Sequence, residues 1–401
     1  MKQYYLGDKV EDLVYPDNPM YALIPKLEKF PGRNLPIPTK YGNPQARSAD
    51  FATALANMGN SLYEDFILTR KKDYSLYRVD NETIEAADGD DGSFISSLTS
   101  EADSAFEEAS RSVAIALYKN GTGSRGAISS GSTVASTTIT LANINDISNF
   151  EVGMKLQASA ADGGALRNAG ATVTLTAVNR TTGVLTASGN WSAGIAAIAV
   201  GDFLYQQGDA ANGGSNIRIN GFEAWIPRTD PSATAFLTVN RSVDVTRLGG
   251  IRYDGTAQNP EEALIDGLAL MCREGANPDH VFQHTSDFAN VEKAMVGRAT
   301  YDMAKAGEDG RIGFRGIRVQ HPKGSVLLLG DQNAPSGRGC AMTLKTWKLC
   351  SIGKAPKLLK YKSSNTYLTE TTLDAIQGRV GFYGDLGCWA PGKNGNFGLP
   401  T

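Results

Sequence analysis

The sequence predicts an α+β protein with a small all-β domain inserted into it, and three observations predict this. After Asp91 a run of about 25 residues keeps one apolar stripe at helical spacing with no proline to break it. Elsewhere, short runs alternate apolar and polar residues between glycine and proline turns, the mark of half-buried strands. From Gly131 to about Asp209 the composition changes: Thr, Val, Ala and Gly dominate and aromatic residues become rare.

The totals set the frame. A chain of 401 residues can build two or three cores. Its 39 basic and 42 acidic residues nearly cancel, so bulk charge does not call for nucleic acid. Only 20% of residues are charged and 44 are glycine, which favours strands and loops. No apolar run approaches the ~18 residues of a membrane span. The opening MKQYYLGDKVEDLVYPDN has no apolar signal-peptide core, so the expectation is a soluble chain made in a cytoplasm. Cys272, Cys340, Cys350 and Cys388 contain no C-x-x-C spacing. They fit free buried thiols better than a disulfide framework or a zinc site.

The chain begins with an arm, residues 1–34. Seven of the 16 prolines fall within the first 44 residues, and proline is excluded from helix interiors and central strands. The arm should therefore be extended and form no core alone. Its apolar residues Tyr21, Leu23, Ile24, Leu27 and Phe30 suit docking on a neighbouring subunit. Residues 35–84 follow, with a short helix over Ala49–Met58 and then FILTRKKDYSLYRVDNET, Phe66 to Thr83. Phe66, Leu68, Tyr74 and Leu76 alternate with polar residues and nothing interrupts them. As one strand the segment would reach about 60 Å at ~3.3 Å per residue. The other reading is a hairpin turning at Arg70–Asp73, although that tetrad lacks the Asn-Gly or Asp-Gly of tight turns.

Next comes the long helix. Ser93 can cap its start and Gly121 can end it, with Leu98, Ala102, Phe106, Ala109, Val113 and Leu117 on one stripe. Glu101, Asp103, Glu107 and Glu108 occupy the opposite face. Within the Thr/Gly-rich block, TTITLAN and TVTLTAVN read as strands, and FEVGMKLQAS and IAVGDFLYQQ share Val-Gly-x-x-Leu. The remainder alternates: a strand in IRINGFEAWIPRTDP, a helix over Pro260–Arg273 and a strand-to-helix unit in PDHVFQHTSDFANVEKAMVG. A charged, glycine-rich loop over Ala304–Gly316 leads to strands in RGIRVQHP and SVLLLGD, then to the short strands of the tail.

Motifs for chemistry do not assemble. Gly121-Thr-Gly-Ser-Arg-Gly126 satisfies G-x-G-x-x-G, but a helix precedes it and β-structure follows, the reverse of a dinucleotide site. His280 and His284 have the i, i+4 spacing of zinc ligands, but lack the H-E-x-x-H glutamate and follow Pro278 as a strand would. Asp88-Gly-Asp-Asp-Gly92 places its glycine one position early for an EF-hand and reads as a solvated turn. With three histidines and no nucleophile elbow, no catalytic, metal or cofactor residues are assigned and an enzyme is not expected. Reach is the distinctive property, because an extended arm, a long strand and a long helix leave edges that a monomer cannot cover.

This order of parts resembles the tailed-bacteriophage major capsid proteins, which have the Hong Kong 97-like fold. The resemblance covers most of the chain outside 128–208. NPMYALIPKLEKFPGRNLPIPTKYGNPQARSADFATA resembles the arm and the rising side of that family's extended loop, and FILTRKKDYSLYRVDNETIEAA the descending side. INGFEAWIP resembles the strand re-entering the peripheral domain, and DAIQGRVGFYGDLGCWAPGKNGN the closing strands. The resemblance implies an N-terminal arm (1–34), an extended β loop (35–84), and a spine helix with the start of the peripheral domain (85–127). The inserted β domain (128–208) and the rest of the peripheral domain (209–257) follow. An axial domain (258–350), whose Ala304–Gly316 loop points to the capsomer axis, and closing strands (351–401) complete it.

By the same resemblance, the extended loop lies across a neighbouring subunit, where Arg70, Lys71, Lys72 and Arg78 would meet acidic residues. The partners implied are the chain itself, in hexamers and pentamers of a shell, with a scaffolding protein, a portal and a decoration protein. Packaged double-stranded DNA would be contacted non-specifically, which suits a near-neutral subunit. No membrane is involved; the place is the virion, assembled in the host bacterial cytoplasm. A separate scaffolding protein is expected if the chain starts at its encoded Met1. Lys40, Lys71 and Lys72 are candidates for the Lys–Asn crosslinks of one branch, with neither the asparagine nor the acidic catalyst identified. The alternative class is a secreted or surface β-rich adhesin or glycan-binding protein, prompted by the Thr/Gly-rich block.

Overall fold

The computed structural model describes residues 18–30, 32–80, 82, 91–211, 215–295, 303–305, 315–360, 367–369 and 373–400. The expected Asp88–Gly92 turn, most of the Ala304–Gly316 loop and the first 17 residues fall largely outside them.

One helix organises the body. It runs Asp91–Tyr118, and its 28 residues reach about 42 Å at ~1.5 Å per residue. Ala102, Phe106, Ala109, Val113 and Leu117 are all buried, as their spacing requires, and Ser112 to Tyr118 are buried without a break. Gly121, in the left-handed region at φ +86, turns the chain away after the last helical turn.

The helix packs on a six-stranded sheet whose central strand is Ala375–Cys388. That strand pairs antiparallel with Lys71–Asp80, Trp347–Ser351, Lys357–Leu358 and Tyr367–Thr369. A second, seven-stranded sheet contains His280–Gln283, Gly324–Gly330 and Arg338–Met342 at its middle. Helices Pro260–Arg273 and Thr285–Met295 accompany it, and Leu264, Leu268, Met271, Val281, Leu328 and Phe397 belong to its core. This unit is not the continuous 258–350 of the sequence expectation. It takes in Ile251–Asp254 and Gly395–Gly398, while Trp347–Ser351 joins the other sheet.

The third unit has its own core of Phe150, Leu156, Leu185, Trp191 and Leu204. Six strands from Ser124–Ala127 to Phe203–Gln206 form one sheet, and an antiparallel bridge from Ile128 to Leu141 ties its two end strands into a small barrel. The repeated Val-Gly-x-x-Leu has a geometric meaning here. Gly153 and Gly201 take φ +90 and +83, and Leu156 and Leu204 then enter the core from adjacent antiparallel strands.

Two further expectations are corrected. The arm residues are not held ready for a neighbour: Tyr21, Ile24 and Phe30 are buried in this chain's main core, and Leu23 and Leu27 pack against it. Pro19 starts the short helix Pro19–Leu23, where its missing N–H costs nothing, and Lys26–Leu27 then pairs parallel with Trp347–Ser351. The arm's Met20 N–H and the helix's Tyr118 hydroxyl both donate to the buried carboxylate of Asp331, at 3.5 and 2.7 Å.

The segment from Phe66 is neither one strand nor a hairpin. Leu62–Thr69 pairs with Asn34–Gly42, and after Arg70 the chain changes partner, Lys71–Asp80 pairing with the central strand. The two strands belong to different sheets.

Asp385, fully buried on the central strand, accepts from the backbone N–H of Asn220 at 2.8 Å, its Nδ2 at 2.7 Å and the Leu386 N–H at 2.9 Å. Burial outweighs these bonds and pushes its carboxyl up to about 7. A carboxyl raised on folding favours the fold when protonated, so its contribution is full below about pH 4 and is lost as pH rises through about 7. The melting temperature should therefore fall from pH 6 to pH 8 by more in the wild type than in Asp385→Asn, measured by circular dichroism. Parallel slopes would contradict this. Ile24→Ala should lower stability by about 2–5 kcal/mol in denaturant unfolding, as expected for a core residue. A residue serving only a neighbour would leave the isolated subunit unchanged.

Candidate assembly surfaces

Asn34–Gly42 and Leu62–Thr69 form a ribbon of two strands only. Its base is seated: Ile37, Phe66 and Leu68 are fully buried, and the Phe66 ring lies 5.1 Å from Trp225. Its far end is bare. The helix Phe51–Ala56 is capped by Asp50, whose carboxylate accepts from the Thr53 N–H at 2.8 Å, yet none of its residues is buried. Phe51 is 80% and Met58 74% exposed, and Leu55, Leu62 and Tyr63 are also exposed. A free two-stranded ribbon is marginal in water, and clustered apolar side chains at its tip add to the cost. Asp50 and Glu64 are exposed among them, as is Lys40 opposite Tyr63.

The second surface lies on Lys71–Asp80. Side chains of a strand alternate between faces, and here the two faces differ. Asp73, Tyr77 and Val79 point toward the body, while Lys72, Tyr74, Leu76 and Arg78 are exposed. On the central strand, Tyr383 lies opposite Lys72, Arg379 opposite Leu76 and Gln377 opposite Arg78. The Tyr74 and Tyr383 rings meet edge to face at 5.8 Å. Burial, followed by the neighbouring Tyr74, pushes the Tyr383 phenol up to about 12, so it stays neutral and available as a donor. Arg78 and Asp80 are 3.9 Å apart and mostly exposed, a contact of about 0–1 kcal/mol.

The basic residues expected to meet a neighbour are thus divided. The Arg70 guanidinium sits over the Phe30 ring of its own chain at 5.6 Å, and the Lys71 ammonium donates to the Asn216 carbonyl. Both have intrachain partners because the chain changes sheets at this point. Lys72 and Arg78 remain on the open face, and Lys40 is exposed on the ribbon, 6.0 Å from the Tyr63 ring.

Beneath the open face a charged cluster fixes the root of the barrel. Asp73 accepts from Arg218 at 2.8 Å and from the Ser112 hydroxyl at 2.7 Å, while Asp209 lies 3.5 Å from Arg218 and 3.7 Å from Arg125. Burial raises Asp209, an effect opposed by both arginines. The chain passes close by. A Cβ on Gly123, at φ +90, would fall 2.0 Å from the Asp209 carbonyl oxygen, which excludes any other residue there. This is the use made of the G-x-G-x-x-G run.

The histidines are separated in role. His280 begins a strand with Nδ1 3.1 Å from Asp279, and His284 follows the strand with Nδ1 2.7 Å from the Ser286 hydroxyl. Among the described residues no three His, Cys, Asp or Glu side chains group to hold a metal. A cleft of about 400 Å³ between barrel and body is lined by Lys119, Asp146, Glu223 and Arg228. These four are paired as Lys119–Asp146 at 3.8 Å and Arg228–Glu223, so they serve as a joint. Sequence reasoning missed the tip residues Phe51, Leu55 and Met58. The available signal was a helix too short to bury any apolar stripe.

No family model matches the sequence, and no curated protein does. Among solved structures, the chain is similar to the capsid asymmetric unit of cyanophage A-1(L), at 10% identity over 96% of this chain and 94% of that one, with a TM-score of 0.55. The capsid of a native GTA particle follows at 8% identity, 94% and 89% coverage and a TM-score of 0.48. The virus-like particle of Pyrococcus furiosus gives 10%, 96% and 95%, and 0.38. The last two scores are too low to support a comparison, so the assignment rests on the first. Arm, two-stranded loop, spine helix and two mixed body sheets, together with that likeness across nearly the whole chain, give this protein the Hong Kong 97-like capsid fold.

Proposed function

We propose that this chain is the major subunit of a tailed-bacteriophage capsid, self-assembling into hexamers and pentamers of a shell around double-stranded DNA. The ribbon carries this reading. It projects apolar side chains that a single copy leaves in water, on a fold shared with a capsid chain. In a shell every copy meets neighbours, so that surface is covered once per subunit and the cost of holding it out is recovered. No chemistry is needed from such a subunit; its cysteines are buried, and its histidines are engaged locally, His280 by Asp279, His284 by Ser286 and His321 by the buried Cys272 at 3.2 Å. Its near-neutral charge suits contact with packaged DNA that does not depend on sequence. Assembly in the bacterial cytoplasm, a scaffolding protein, a portal and a decoration protein on the barrel complete the reading.

Negative-stain microscopy of the chain expressed with its neighbouring genes should show shells or capsomer rings. Isolated monomers under all conditions would overturn the reading. Phe51→Ser with Leu55→Ser should leave the subunit's melting within about 0.5 kcal/mol of wild type, since both residues are exposed, while abolishing these assemblies. A large loss of subunit stability would mean that the tip belongs to the fold.

A further inference from the structure

We propose that the turn Phe236–Val239 is a strained clasp on the ribbon, whose opening lets the outer half pivot about Phe66 while the base stays seated. The inference concerns the single chain and stands apart from the shell reading.

Pro36 and Pro38 lie opposite Ile67 and Asp65 in the ribbon. Proline has no N–H to donate across a pair, so Ile67 and Asp65 turn their backbone groups to the free edge instead. The turn meets that edge. The Ile67 N–H donates to the Leu237 carbonyl at 3.0 Å. The Thr238 hydroxyl reaches the Asp65 carbonyl at 3.0 Å and lies also against the Leu237 carbonyl. Burial ends at the same place: Phe66 is fully buried, whereas Glu64 and Asp65 are exposed.

The turn is costly to hold. Phe236 and Val239 exchange both backbone hydrogen bonds, at 2.9 and 3.0 Å, and close a two-residue hairpin. Its central residues, Leu237 and Thr238, take φ +47 and +79. Asn-Gly is the usual pair for such a turn, and a β-branched residue there is an outlier. The neighbouring Phe236 is well fixed. Its ring lies 5.3 Å from Trp225 and 6.4 Å from Phe66, with the Arg241 guanidinium 4.2 Å above it. Arg241 itself donates to the Ala224 and Trp225 carbonyls at 2.9 and 2.8 Å. The strain therefore falls on the two residues that touch the ribbon. On opening they relax, and water replaces their bonds at an edge that is already half in solvent. Ile37, Phe66 and Leu68 keep the base in place. Farther out, Arg247 donates to the Tyr41 carbonyl at 2.6 Å, but this contact is exposed and holds weakly.

Two variants test this. Leu237→Asn with Thr238→Gly supplies the favoured pair and relieves the strain, while Thr238→Val keeps the strain and removes the hydroxyl. Hydrogen exchange at single amides reads the clasp at Ile67, against Phe66 and Leu68, which pair inside the ribbon with Ile37 and Leu35. In the wild type, Ile67 should exchange about tenfold faster than both. Strain relief should slow Ile67 by about tenfold and Thr238→Val should speed it, with Phe66 and Leu68 unchanged. Spin labels on Met58→Cys and Val243→Cys read the pivot, since both positions are exposed and the native cysteines are buried. Two distances are expected in the wild-type turn and one in the relieved variant. Ile67 exchanging in step with Phe66 and Leu68, or unmoved by strain relief, would overturn the clasp. A single distance with the wild-type turn, or two distances that persist after relief, would overturn the pivot. Should Thr238→Val not fold, the relieved variant alone decides.

Discussion

Everything in the body depends on enclosing the last turns of the spine helix. Ser112 to Tyr118 are buried in succession, a condition that no amphipathic helix reaches on one sheet. The sheet covers one side. The chain returning from the barrel covers another, approaching so closely that a Cβ on Gly221 would fall 2.3–2.5 Å from the carbonyl oxygens of Ala116, Leu117 and Lys119. Asp331 fastens the helix end and the arm to the second sheet through Tyr118 and Met20. Segments more than 300 positions apart in the chain therefore share one anchor.

Charge is handled by burial among partners. Asp73, Asp209, Arg125 and Arg218 converge from the sheet, from the two roots of the barrel and from the returning chain, with Ser112 of the spine helix among them. Such clusters contribute little net stability, because desolvation offsets attraction. They are demanding about geometry, and this cluster fixes how the barrel stands on the body.

The sequence expressed some of this and hid the rest. Helical spacing made the spine helix legible from Ala102 to Leu117, because one residue in three or four must face the sheet. Val-Gly-x-x-Leu was legible because a left-handed glycine three residues ahead of a core leucine leaves a fixed mark. The change of sheet at Arg70 left none, since alternation continues through it while the hydrogen-bonding partner is set by remote strands. The arm misled for a related reason. Its prolines rule out long helices but say nothing of which core receives Tyr21 and Ile24. At the tip, Phe51 and Met58 look like core residues, and only the fold shows that no core is within reach.

The barrel's first strand, Ser124–Ala127, lies beside its last, Phe203–Gln206, so the chain leaves the body and returns to it through adjacent strands. A module attached in this way is topologically a side branch. Its length and content can change without altering the path of the chain below Gly123 and Asp209. Genetic exchange could replace it as a cassette, and a foreign domain with neighbouring termini could be grafted in its place as a display platform.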